Sequence, residues 1–408
     1  MTDLPAAAIG KTASIQIKQG EYTAQALDVS RAAGFSMVRR AIRWSQTETT
    51  KGTYVFAEPD AFFANMDARG MSALVTLFGN NTLYEPTGTG IVTQAGRDGF
   101  AAFAAACVAR YAGRNIIWEI WNEPNITSFW HAPSNSSAIA DEYTALVKTA
   151  VPAMMAADPL AYVVAGSISA LWSASFAWFD RCIAQGILAS GIKGISVHPY
   201  GFSWPELGIE EYDIIRGKIG ALSLVNSEVG YPLSWIIERQ GFTATEAPVV
   251  QGHLLARQQL IDLMSGLGLS SWYELHSTPS YAIVDNQYAP LPAYNAAQVL
   301  MGQLTDYKVM RRVPTVSPLD YVIYLRHPTS LNRKLAVWTA SDVTAPQPRK
   351  PIPHTIDIAM SGGEGNGPIS FVDCYGAPST ATLAAGKLPM LLEGGPKYLD
   401  IGHRNVAK

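Results

Sequence analysis

Cysteine is scarce in this chain: Cys107, Cys182 and Cys374 lie far apart, cannot all pair and show no C-x-x-C spacing. A disulfide framework and a cysteine-held zinc site are therefore excluded, and free thiols are expected. Cys107 and Cys182 fall in helical patterns and read as buried packing residues. Charge is sparse too, at 15% of residues, and the net charge of −3 leaves Lys and Arg scattered. This gives no basic footprint for nucleic acid, and a neutral, polar partner fits better. The start, MTDLPAAAIG, has neither the charged nor the apolar region of a secretory signal. The expectation is a protein not exported by that route, or an extracellular or periplasmic one whose signal was removed. The longest apolar run, GFAAFAAACVARYAG, is broken by Arg110 and is too short to span a bilayer. It reads as an Ala-rich helix packed on a sheet.

What the chain does have is apolar residues, 48% of 408, enough for one barrel of about 250–300 residues and a smaller domain. From 13 to 304 short apolar runs alternate with helical patterns. The runs are ASIQI, SMVRRAI, SALVTLF, NIIWEIW, YVVAGSI, IKGISVH, LSLVNSE and LSSWYEL, and the intervening helices include 58–69, 97–112, 137–157, 246–266 and 292–303. Eight such units close into a (β/α)₈ TIM barrel more naturally than into an open sheet. After 305 the runs YVIYLRH, KLAVWTA, HTIDIAM and ISFVDCYG alternate with period two between Pro- and Gly-rich turns. They predict an antiparallel β-sandwich over 305–408 docked on a barrel over 1–304. The Pro-rich TAPQPRKPIPH reads as a long hairpin loop within that sandwich.

Chemistry concentrates at the C-terminal ends of barrel strands, the rim that carries the variable loops. The fourth run ends IWEIWNEPN with Glu123, and the seventh ends LSLVNSEVGYP with Glu228. A closed barrel can turn both carboxylates into one cleft. Such a pair suits glycoside hydrolysis, in which one group protonates the leaving oxygen and the other meets positive charge at the anomeric carbon. Glu123 is expected to be held protonated by burial and by the charge of its partner, and Glu228 to stay ionised opposite a cation or hydroxyl donors. Arg39, on the strand face it shares with Arg43, is the expected cation. Arg40 and Arg43 read as structural or rim residues. His198 and Tyr200 in GISVHPYG can bond carboxylates or sugar hydroxyls. Trp272 is expected to floor the sugar subsite, with Trp44, Trp130 and Tyr273 as further aromatic candidates. Glu119 is expected inward but lower in the barrel, as a structural carboxylate paired with a buried cation. His131 and His276 could line the cleft or be plain loop residues.

WEIWNEPN, the later SEVG, the VR of the second strand and HPY between them resemble clan A of the glycoside hydrolases. FSMVRRAIRWSQTETTKGTYVF and the C-terminal β region are most similar to family 39 and its relatives, which include β-xylosidases, α-L-iduronidases and bacterial exopolysaccharide hydrolases. The resemblance implies Glu123 as general acid/base, Glu228 as nucleophile, Asn122 as partner of the hydroxyl next to the reacting carbon, and retention of configuration. The third strand ends TLFGNN, without the His often found there in the clan, so Asn80 or Asn81 is expected to replace a sugar contact. Loops at 79–92, 124–136, 201–209 and 276–291 are long enough to build a groove. The reading is an endo-acting, retaining polysaccharide hydrolase that needs no metal or organic cofactor. An exo-acting β-glycosidase, a transglycosylase and a carbohydrate-binding protein on the same scaffold are the competing readings; the last should have lost a carboxylate or the paired Asn, and all three are present.

Overall fold

The computed structural model describes residues 3–4, 8–85, 88–344, 347, 349–361 and 365–407. Eight parallel strands close in chain order into a barrel: β1 (Ala13–Gln16), β2 (Met37–Arg43), β3 (Ser72–Phe78), β4 (Ile116–Ile120), β5 (Tyr162–Ser169), β6 (Gly194–His198), β7 (Ser223–Val229) and β8 (Ser270–Trp272). Each falls within or across one of the eight apolar runs. The Ala-rich run forms the helix Gln94–Arg110, whose start is fixed by Thr93 accepting from the Gly96 amide. The three cysteines are free and buried. Among the described residues no helix is long and apolar enough to cross a membrane.

The barrel interior is layered. Its floor is apolar, made by Met37, Leu74, Ile117, Tyr162, Val164, Val225 and Leu269. Above it the inward positions turn polar, with Arg39, Thr76, Glu119, Ser196 and Ser227 all buried. An apolar floor under a polar layer places the buried charge immediately below the rim, where a substrate can reach it.

The remaining strands are antiparallel: β9 (Lys308–Arg312), β10 (Asp320–Arg326), β11 (Arg333–Thr339), β12 (His354–Ser361), β13 (Gly367–Val372), β14 (Pro378–Leu383), β15 (Lys387–Leu392), β16 (Lys397–Gly402) and β17 (Asn405–Val406). They form a six-stranded sheet, β14-β13-β16-β11-β10-β9, and a three-stranded one, β15-β12-β17. The Pro-rich stretch after β11 is not a hairpin loop. It joins β11 in the larger sheet to β12 in the smaller, strands that do not pair, so it is a crossover between layers.

The larger sheet is covered on both faces. Val322, Leu335, Val337 and Leu399 pack toward the smaller sheet, while Tyr321, Ile323, Leu325, Ala336, Trp338 and Tyr398 belong to the core shared with the barrel. That explains why KLAVWTA is apolar at consecutive positions: alternation is lost where both faces are buried. The junction is pinned by a buried ion pair. Arg257, on the helix Ala247–Met264, donates from Nε and Nη2 to Glu206 at 2.7 and 2.5 Å, and Trp338 Nε1 donates to the same carboxylate at 2.7 Å. Glu206 lies in the 201–209 loop, so that loop serves the junction rather than the groove. Arg257→Met should leave Glu206 buried and unpaired and lower stability by about 3–5 kcal/mol, read as the chemical denaturation midpoint, while Arg257→Met with Glu206→Gln should recover part of the loss. Equal losses in the single and double variants would remove the pair as the anchor.

Candidate active site

Strand phase sets most of the site. On β2 the side chains of Arg39, Ala41 and Arg43 line the cleft, whereas Arg40 points outward, bonded to Glu58 at 2.8 Å and stacked 4.0 Å over Tyr22. Glu119 on β4 faces inward. After β4 the alternation breaks: Trp121 and Glu123 take positive φ of 70° and 44°. Trp121 thereby turns into an aromatic cluster with Phe78, Phe100 and Trp130, and both Asn122 and Glu123 face the cleft. On β7, Val225 points to the barrel floor and Asn226 outward to Asp262, at 2.8 Å. Strict alternation would send Glu228 outward as well. The register against β8 shifts between Asn226 and Val229, and Glu228 lines the cleft. Gly230 is required just beyond, since a Cβ there would lie 2.2 Å from the Tyr273 carbonyl oxygen.

Arg39 ties these groups together at 2% exposure. Its Nη1 donates to Gln16 at 2.6 Å and to Glu228; its Nη2 donates to Glu119 at 2.9 Å and Asn122 Oδ1 at 2.8 Å. Burial opposes its charge, but Glu119 and Glu228 outweigh burial and raise its pKa. Burial alone would push the Glu119 carboxyl up; Arg39, with help from His198 and the hydroxyls of Ser227 and Thr76, holds it below the usual range. Glu119 is thus the structural carboxylate expected from sequence. Tyr200 donates to the second oxygen of Glu228 at 2.9 Å. Burial, then the charges of Glu228 and Glu123, push the phenol well upward, so it remains a donor.

Glu123 is 8% exposed and sits in a closed hydrogen-bond circuit. Its amide donates to Ser167 Oγ at 3.3 Å, Ser167 Oγ lies 3.0 Å from His198 Nε2, and His198 Nδ1 lies 3.0 Å from the Glu123 carboxylate. A ring carrying its proton on Nδ1 satisfies every contact: Ser167 donates to Nε2, and Arg39 Nη2, 3.5 Å away, faces the same acceptor. The expectation that Glu123 is held protonated is not met. Burial pushes its carboxyl upward, but the hydrogen bond from His198, with Ser169 and Arg39, outweighs burial and holds it below its ordinary value. The repulsion expected from Glu228 is offset because Arg39 is bonded to that carboxylate.

Oxygens of Glu123 and Glu228 and a ring nitrogen of His198 all lie within 4.8 Å of one another. That spacing could hold a cation, but the guanidinium of Arg39 already supplies positive charge there. The cleft, of about 370 Å³, is also lined by Gln16, Lys18, Tyr22, Phe78, Phe129 and Tyr273.

Four expected sugar contacts lie elsewhere. Trp272 is fully buried and packs beside Tyr231, outside the barrel wall. Ser271 points inward to Ser14, so Trp272 points out and Tyr273 takes the cleft position. Trp44 is buried, stacked on Tyr84 and bonded to Glu48 at 2.6 Å. Trp130 is buried and bonded to Glu142 at 2.8 Å. Asn80 donates to the Gly88 carbonyl and Asn81 to that of Glu48, so both brace loops; Phe78 and Phe129 fill that side of the cleft instead. His131 lies beside Thr89 and Glu142, and His276 beside Glu21, stacked on Tyr288. Sequence reasoning missed Gln16 and Lys18. Gln16 was accessible from its phase: it shares the inward face of β1 with Ser14 and stands opposite Arg39.

Residues 8–200 match the family model described as Cellulase (glycosyl hydrolase family 5), a span that holds Asn122, Glu123, His198 and Tyr200 and stops before Glu228. No curated protein matches the chain. A family 39 glycoside hydrolase from the gut symbiont Bacteroides cellulosilyticus is similar in structure over 97% of this chain and 81% of its own, with 21% identity and a TM-score of 0.74. A monomeric beta-xylosidase from Caulobacter crescentus is similar over 97% of both chains, at 13% identity and TM-score 0.64. A family 30 endoxylanase from Clostridium papyrosolvens is similar over 100% of this chain and 98% of its own, at 11% identity and TM-score 0.64. Residues 8–200 are thus similar to glycosyl hydrolase family 5, and the chain as a whole has the fold of the family 39 and family 30 enzymes.

The circuit around Glu123 makes a signed prediction. His198→Phe removes the donor that lowers the Glu123 carboxyl and leaves the burial that raises it. Its ¹³C carboxyl titration should move to higher pH, and the alkaline limb of kcat/KM should move with it. A limb that stays in place or moves to lower pH would assign the proton to another group.

Proposed function

We propose that the protein is a retaining glycoside hydrolase that cleaves within a β-linked polysaccharide by double displacement, with Glu228 as nucleophile and Glu123 as acid/base. The observation that carries the reading is the approach of Glu123 and Glu228 oxygens to within 4.8 Å across one cleft. Retaining enzymes hold their carboxyl groups about 5–5.5 Å apart, whereas inverting enzymes leave room for a water between them. In the first step Glu228 attacks the anomeric carbon while Glu123 protonates the departing oxygen; in the second Glu123 takes a proton from water as the glycosyl–Glu228 bond breaks.

Each neighbour has a part. Arg39 and Tyr200 occupy both Glu228 oxygens, which fixes the carboxylate's angle of attack. Asn122 gives its Oδ1 to Arg39, so its amide nitrogen is the group left to donate to the hydroxyl beside the reacting carbon, a contact that can strengthen at the transition state. Tyr273 and Phe129 offer aromatic faces to the apolar side of a sugar ring. The endo-acting reading is supported by a cleft lined from six of the eight strands or the loops after them, a span suited to several sugar units of a chain.

Glu123→Gln should lower kcat/KM on polysaccharide by about 10²–10⁴-fold, while sparing the first step on aryl glycosides whose phenol leaves without protonation. Glu228→Gln should abolish turnover of both. ¹H NMR of the first-formed product should show the anomer of the substrate. Initial release of the opposite anomer, or turnover by Glu228→Gln, would assign the nucleophile elsewhere.

A further inference from the structure

Three cations line the cleft, Lys18, Arg39 and Arg43, and the protein satisfies two of them. Arg39 is held by Glu119 and Glu228. Lys18 lies 3.1 Å from Glu274 and 2.5 Å from Thr278. Arg43 forms no salt bridge among the described residues; its guanidinium lies 5.1 Å over the Phe78 ring. The contrast with Arg40 on the other face of the same strand is informative, because that residue has been given Glu58 as a partner.

Arg43 is exposed, yet it is not a freely waving surface residue. Phe78 is itself fixed by edge contacts with Trp121 and Phe129, at 5.1 and 5.7 Å between ring centroids. A guanidinium resting near an aromatic face leaves its N–H fork available, and that fork matches a carboxylate through two parallel hydrogen bonds. Its phase on β2, the same as that of Arg39 and Ala41, directs this fork into the cleft.

We propose that the glycan cleaved here bears a carboxylate, as a uronic acid unit does, and that Arg43 receives it through a planar pair of hydrogen bonds. This rests on the hydrolase reading above and adds the substrate class to it.

The test uses acidic polysaccharides, glucuronoxylan, alginate and hyaluronan among them, each beside its carboxyl-reduced form, with reducing-end release measured for the parent, Arg43→Gln, Arg43→Lys and Glu123→Gln. The parent should favour at least one native polymer over its reduced form by tenfold or more in kcat/KM, and the preference should shrink as salt rises from 50 to 500 mM. Arg43→Gln should abolish the preference by lowering kcat/KM on the native polymer at least tenfold more than on the reduced one, and Arg43→Lys should retain part of it. Equal rates on native and reduced polymers, cleavage of neutral polysaccharides alone, or a preference that survives in Arg43→Gln would overturn the proposal and leave the hydrolase reading standing. Absence of turnover on every polymer and on aryl glycosides, or turnover undiminished in Glu123→Gln, would count against the hydrolase reading itself.

Discussion

One buried guanidinium, that of Arg39, organises the centre of this protein. Desolvating a cation costs several kcal/mol, and the cost is offset only because Glu119, Glu228, Asn122 and Gln16 converge on its two terminal nitrogens. Those four residues come from three strands, Gln16 from β1, Glu119 and Asn122 from β4 and its end, and Glu228 from β7, so the guanidinium also works as a gauge of barrel closure. β1, β2, β4 and β7 must all hold their register for the network to be complete. The apolar floor below makes that strictness possible: the side chains beneath the polar layer offer a misplaced carboxylate no alternative partner.

The groups proposed to react stand where regular geometry fails. Glu123 reaches the cleft because Trp121 and Glu123 adopt positive φ, Glu228 because the β7 register slips against β8, and Ser167 because β5 bulges through Gly166 and Ser167, both at positive φ. A regular barrel presents one inward residue in two per strand, which sets the density of side chains at the rim. Local irregularities break that limit and crowd an amide, two carboxylates, an imidazole and a phenol around one point. Such strained residues persist only where the surroundings over-determine them, and here the Arg39 network and the Ser167–His198–Glu123 circuit do so.

This division explains what could be read from the sequence. The barrel was legible because its strands are short apolar runs separated by helical periods, and Arg39 because β2 is regular enough for phase to decide which Arg enters the barrel. Trp272 was misplaced for the opposite reason: in LSSWYEL apolar and polar residues do not alternate, so composition could not tell Trp272 from Tyr273, and only the contact of Ser271 with Ser14 settles the phase. Trp44 and Trp130 were offered as sugar platforms, but their indoles are bonded to Glu48 and Glu142 within the core. A Trp of the core and a Trp of a subsite are the same residue until its partner is known. The protonation of Glu123 was misjudged because its controlling neighbour, His198, comes from β6 and leaves no trace near Glu123 in sequence.

The His198 contact looks at first opposed to catalysis, since a group that stabilises ionised Glu123 weakens it as an acid. In the mechanism proposed above, the two half-reactions resolve this. A carboxyl that must surrender its proton in the first step gains from a partner that stabilises the product of that surrender, and the Nδ1–H of His198 is already in place to do so without reorganisation. Arg39 then couples the steps. While Glu228 is ionised, the charge of Arg39 is shared between Glu228 and Glu119. Once Glu228 is esterified to the sugar its charge is gone, and the positive potential of Arg39 at Glu123 rises, which favours the carboxylate. Glu123 is thus ionised when it must take a proton from water, and as the ester is cleaved the returning charge of Glu228 pushes it back toward the protonated form. The same buried cation that fixes the geometry therefore times the exchange of roles.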